Sequence, residues 1–185
     1  NGRNGWNFSY ITAAGKAYPM VYNQETASFG IPNANENNSY AGFSRFGSSG
    51  GTAQDYDSAI IYQAPVNAKV RFTLTAKVSH PQSDGILVKI LRNSLDNRVA
   101  PVDARHRLVT AAGGTVTLQT TLELGKGEFV YFLMNKNGNH YYDQTNFFVT
   151  AEYLECYDAP PGGAQTPPDT TEHLYPIEPD RDAEP

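Results

Sequence analysis

Cysteine occurs once in the 185 residues, at Cys156. A single thiol excludes an internal disulfide framework and a zinc site built on several thiolates. Nowhere does the sequence run through about 18 consecutive apolar residues, so no transmembrane helix and no membrane insertion are expected. Charged residues make up only 18% of the chain and sum to −5. Without a basic footprint, nucleic acid is not expected as a partner. The opening residues, Asn1 to Trp6, lack the apolar stretch of a cleavable signal peptide, as in a mature or excised chain. What the sequence has instead is twelve Tyr, nine Phe and a large share of uncharged polar residues. That supply of large side chains is enough for a core and excludes wholesale disorder.

The charge is unevenly placed. Of 14 Lys/Arg and 19 Asp/Glu, residues 159–185 hold one (Arg181) and six, so residues 1–158 hold thirteen of each and are neutral. The same stretch carries seven of the twelve prolines. A segment of that composition cannot build a core and reads as a linker or arm leading to other protein domains or subunits. Only His173-Leu174-Tyr175-Pro176-Ile177 within it could adhere to a surface, on its own domain or a neighbour's.

Residues 1–158 read as one β domain. Val70, Phe72, Leu74, Ala76 and Val78 alternate with Arg71, Thr73, Thr75 and Lys77, and residues 116–124 alternate in the same way. A strand sends successive side chains to opposite faces, so each segment has one core face and one wet face. Further strands are expected over 6–12, 17–22, 40–46, 56–63, 86–91, 128–134 and 146–154. Turn signals separate them at Ala64-Pro65-Val66-Asn67, Ser83-Asp84-Gly85, Gly113-Gly114, Gly125-Lys126-Gly127 and Asn137-Gly138-Asn139. No window of a dozen residues has a 3.6-residue period with caps. Nine or ten strands at this spacing predict an all-β, two-sheet antiparallel β-sandwich of the jelly-roll type. Residues 128–134 are apolar on both faces, so that strand is expected at the centre, covered on one side by the opposite sheet and on the other by a loop or the tail.

Three stretches then acquire a meaning together. They are Tyr56-Asp57-Ser58-Ala59 with Tyr62-Gln63-Ala64-Pro65, Ser83-Asp84-Gly85-Ile86 through Asn93, and Phe129 through Asn139 followed by Tyr142-Asp143-Gln144-Thr145. Their pattern resembles the accessory β-sandwich modules that sit beside catalytic domains in secreted bacterial carbohydrate-active enzymes, over about 100 residues. The resemblance implies a galactose-binding-like jelly roll, an extracellular location and polysaccharide binding. The chain departs from it at Tyr40 to Gly51, where those modules carry Trp and His-Pro-Gly. Modules of this type often hold a structural calcium ion, and Asn35, Asp55 and Asp57 supply oxygen ligands for one.

Catalysis finds little support. His80, His106, His140 and His173 lie in no recognisable motif, and no Gly-x-Ser-x-Gly elbow exists. Cys156 has acidic neighbours, Glu155 and Asp158, whereas a reactive thiol sits among positive groups. The carboxylate pairs Asp55/Asp57 and Glu152/Glu155 are the only glycosidase-like features. No enzymatic activity is expected. Sugar binding needs a flat ring for the apolar face of a pyranose, with amide, guanidinium or carboxylate groups beside it. Tyr40, Phe43 and Arg45 offer that mixture in one segment; His140, Tyr141, Tyr142 and Asp143 offer it in another. Consecutive bulky rings in a loop cannot all enter one core, so at least one should face solvent. The expected function is therefore non-catalytic glycan binding by an extracellular module. The alternative is an adhesive jelly roll whose partners are other protein subunits, reached through its surface and tail.

Overall fold

The computed structural model describes residues 4–32, 42–44, 50–51, 56–95 and 106–159. Thirteen strands form two antiparallel sheets, with no helix among the described residues. In chain order they are β1 (Trp6–Thr12), β2 (Ala17–Pro19), β3 (Val21–Asn23), β4 (Ser28–Gly30), β5 (Gly42–Ser44), β6 (Gly50–Gly51), β7 (Tyr56–Gln63), β8 (Asn67–Val78), β9 (Ile86–Arg92), β10 (His106–Val109), β11 (Val116–Leu124), β12 (Phe129–Lys136) and β13 (Thr145–Tyr157). One sheet runs β10-β9-β12-β7-β1-β2 and the other β11-β8-β13-β6-β5-β4-β3.

The alternation in β8 sets the core. Val70, Phe72, Leu74, Ala76 and Val78 are all buried, while Lys69, Arg71, Thr73 and Thr75 line the opposite face. Rings from the two sheets meet in the middle: Tyr62 lies 5.2 Å from Phe72, and Phe72 lies 5.3 Å from Phe132. Trp6 closes this group, 4.9 Å from Tyr62. A second ring group, Phe8, Phe29, Phe43 and Phe147, packs beside it with successive centroids 4.6 to 5.9 Å apart. Offset and edge contacts of this kind add about 0.5–1.5 kcal/mol per pair beyond area burial. The Tyr62 and Tyr153 hydroxyls hydrogen-bond to each other and link β7 to β13 across the core. Burial, followed by that bond, raises the Tyr62 phenol above the ordinary tyrosine range.

Residues 17–22, expected as one strand, divide. Met20 is buried in the core between β2 and β3, and the chain passes there from one sheet to the other. Pro19, which has no N–H for a ladder, sits in the edge strand β2, where one side needs no partner. The short strands β4, β6 and β10 were not foreseen, because segments of two to four residues carry too few alternations to register. The strand expected over 40–46 is described only at Gly42–Ser44, and the segment 160–185 lies outside the described residues.

β12 takes the central place its two apolar faces require, hydrogen-bonded to β7 on one side and β9 on the other. Val130, Phe132 and Met134 enter the main core. Phe129, Tyr131 and Leu133 join Ile11, Ala59, Ile61 and Leu91 in a second cluster on the outer face of the same sheet.

Candidate functional site

The β8–β9 and β12–β13 connections meet at one end of the sandwich, and side-chain-to-backbone bonds tie them together. Asp84 Oδ2 accepts hydrogen bonds from the backbone N–H of Gly138 (3.1 Å) and Asn139 (3.0 Å). In return, Asn137 Nδ2 donates to the Asp84 carbonyl (3.0 Å) and the Asn137 N–H to the Gly85 carbonyl (3.3 Å). A Cβ on residue 138 would come within 2.6 Å of that same Asp84 oxygen, so only glycine allows the carboxylate so close to the turn. Gly85 is needed for a second reason: its φ is +98° and a Cβ there would meet the Val109 carbonyl at 2.7 Å.

A further set of bonds fixes the remainder of the loop. Ser83 Oγ donates to Asp143 Oδ1 at 2.7 Å and accepts the Gly85 N–H at 2.9 Å. Thr145 Oγ1 donates to the Asp143 carbonyl at 2.8 Å, and the Ser79 N–H to the Gln144 carbonyl at 2.7 Å. Asp143 is thus a buried carboxylate at the base of the loop, 2% exposed. The Asp-Gly, Asn-Gly-Asn and Asp-x-Thr segments that stand apart in sequence are three parts of one hydrogen-bonded joint.

On this base stand two exposed rings. Tyr141 is 60% and Tyr142 53% exposed. The Tyr141 N–H donates to Asn139 Oδ1 at 2.8 Å, and its ring lies 4.4 Å from the ring of the buried His140. Tyr142 adopts φ +64°, a left-handed conformation uncommon for a bulky residue. That backbone turn sets its ring on His80, with centroids 4.4 Å apart and planes inclined by 19°. The Nδ1 atom of His80 accepts the Gln82 N–H at 3.2 Å, which holds the imidazole in place for the stack. Gln82, Asn137 and Asn139 of the same two connections are also exposed, with Asn137 Nδ2 and Asn139 Oδ1 already engaged within the loops.

The sequence-derived residues separate on this structure. His140, Tyr141, Tyr142 and Asp143 do come together, with the two tyrosines displayed and His140 and Asp143 underneath as support. Phe43 is a correction: it is 1% exposed and packs on Phe8 and Phe147 in the core, because the pairing of β5 with β4 turns it inward. Tyr40 and Arg45 lie outside the described residues. Of the oxygen ligands named for calcium, Asn35 and Asp55 also lie outside them, and Asp57 accepts a hydrogen bond from Asn135 Nδ2. No group of three His, Cys, Asp or Glu side chains suited to a metal occurs among the described residues. His80 lies in no recognisable motif and was not among the expected site residues. Its signal was present in the adjacency of His80-Pro81 to Ser83-Asp84-Gly85, but its partner Tyr142 is sixty-two positions away. Comparison with family models and with curated proteins yields no match.

Proposed function

We propose that the chain is a non-catalytic carbohydrate-binding module that acts outside the cell and takes up polysaccharide on the Tyr141/Tyr142 platform. The observation that carries the reading is the pair of neighbouring exposed rings held on a rigid, multiply hydrogen-bonded joint. Sugars offer weak contacts, so a loop that had to be ordered on binding would lose much of the binding free energy. Here the ordering is supplied in advance by Asp84, Ser83 and Asp143. An exposed ring can stack on a pyranose, and the exposed side chains of Gln82, Asn137 and Asn139 in the same two connections can hydrogen-bond its hydroxyls. The resemblance of the Asp-Gly and Asn-Gly-Asn-x-x-x-Asp-x-Thr segments to secreted accessory modules supports the extracellular assignment.

Affinity electrophoresis against a polysaccharide panel tests the reading. Retardation of the wild-type chain by at least one neutral polysaccharide is expected. Tyr141→Ala, which removes the more exposed ring, should weaken that retardation about five-fold, equivalent to about 1 kcal/mol of stacking. Its melting temperature should stay within a degree or two. If the chain is retarded by nothing on the panel and instead gains mass with concentration, the rings serve a protein partner and the glycan reading is wrong.

A further inference from the structure

Four strands end the two sheets: β10 and β2 in one, β11 and β3 in the other. An edge strand leaves the N–H and C=O of alternate residues without a ladder partner, and proteins blunt such edges with short strands, proline, lysine or a bulge. β2 and β3 have three residues each, with Pro19 in β2, and β10 has four. β11 has none of these devices. It runs for nine residues without Pro, Lys or Arg and keeps an unbroken register with β8 along its whole length. Among the described residues, β11 hydrogen-bonds to β8 alone. The core is also incompletely closed along this edge. Leu118 and Leu124 are buried, whereas Val116 and Leu122, on the same inward face, pack on the core and stay partly exposed. On the outward face Thr117, Gln119, Thr121 and Glu123 are all exposed.

We propose that β11 pairs with β11 of a second copy of this chain, antiparallel about a two-fold axis at Thr120, and joins the two seven-stranded sheets. The residues of β11 select that partner. Only with Thr120 at the centre do all nine residues meet an opposed residue: Val116 faces Leu124, Thr117 faces Glu123, Leu118 faces Leu122 and Gln119 faces Thr121. A slip by one residue would set the core face against the wet face. In the centred register apolar side chains meet apolar ones. The one charge, Glu123, meets a neutral Thr117 rather than a second Glu123, and Lys69 lies opposite it in β8. Like charges across the axis would oppose self-pairing, and this strand has none. The second copy's Leu124 and Leu118 give Val116 and Leu122 the cover they lack. A two-fold contact of one patch with itself is the commonest arrangement in soluble oligomers.

Sedimentation equilibrium and hydrogen exchange on the full 185-residue chain test the proposal. The mass should rise with concentration from one chain to two, and the outward-pointing amides of β11 should slow in step. Thr117→Lys sets an ammonium against Glu123 at both ends of the pairing and should tighten the dimer about five-fold; Thr117→Glu should weaken it about as much. Gln119→Lys/Thr121→Lys opposes like charges at the centre and should leave a single chain. All these positions are exposed, so the melting temperature of the single chain should hardly move. Should the double-Lys variant fail to fold, the opposite shifts of the two Thr117 variants decide. A mass of one chain up to millimolar concentration overturns the proposal, as does a dimer indifferent to both Thr117 variants. So does slow exchange of the outward-pointing amides in the single chain, since the edge would then be covered by the chain itself.

Discussion

Tyr142 combines two properties that are separable by substitution. Its ring stacks on His80, and its backbone sits in the left-handed region at φ +64°, where a Cβ is crowded by about 1 kcal/mol. Tyr142→Ala removes the stack and keeps the crowding; Tyr142→Gly removes both. Glycine at this position should therefore be more stable than alanine by about 0.5 kcal/mol in urea denaturation, the part of the strain relief that remains after glycine's entropic penalty of roughly 0.5 kcal/mol. Both variants should lose the same share of polysaccharide retention, because neither has a ring. Equal stabilities would mean that the loop relaxes φ when the ring is gone.

At the level of the elements, two hydrogen-bonded joints secure the connections between strands. The first is the Asp84 joint. Asp84→Ala removes the acceptor of the Gly138 and Asn139 N–H groups in an exposed turn, at a cost of about 0.5–1.5 kcal/mol for each bond lost. Both melting temperature and polysaccharide retention should fall, whereas Tyr141→Ala should lower retention alone. The second joint lies at the opposite end of β12. Glu128 is buried and receives Arg92 Nη2 at 2.8 Å, the Gly125 N–H at 2.6 Å and Asn93 Nδ2. Burial disfavours its charge, but the bonds from Arg92, Gly125 and Asn93 prevail and hold the carboxyl below the ordinary glutamate range. A carboxylate depressed in the folded state contributes stability above its unfolded pKa and loses it as pH falls through the folded value. The wild-type chain should lose stability on acidification below about pH 4.3, the unperturbed glutamate pKa. Glu128→Gln should be less stable at neutral pH and show a shallower acid loss, as read from urea midpoints at pH 7 and pH 3.

Across the whole molecule, the six-stranded sheet is buried on both faces and the other sheet on one. That asymmetry makes the outer cluster part of the stability of the fold. Leu133, on the outer face, and Phe132, in the main core, are both fully buried. Leu133→Ala should cost about 2–5 kcal/mol, the range for a large aliphatic truncated in a core. A value under 1 kcal/mol in equilibrium denaturation would show that the outer cluster contributes little.

The strands of this protein were legible in its residues because a side-chain period of two is local. Val70 to Val78 and Val116 to Leu124 declare their inner faces without reference to anything else in the chain. The same holds for β12, whose unbroken apolar run requires cover on both sides, and for Tyr141-Tyr142, of which at least one ring had to stand outside. Phe43 was misread because its inward turn depends on a three-residue pairing with β4, a strand too short to show a period. His80 beneath Tyr142, Asp84 against Gly138, and Lys89 on the outer face opposite Leu133 depend on contacts between segments distant in sequence. Alternation reports which way a side chain points. Which distant residue it meets is set by sheet order and register, and these emerge only when the two sheets pack.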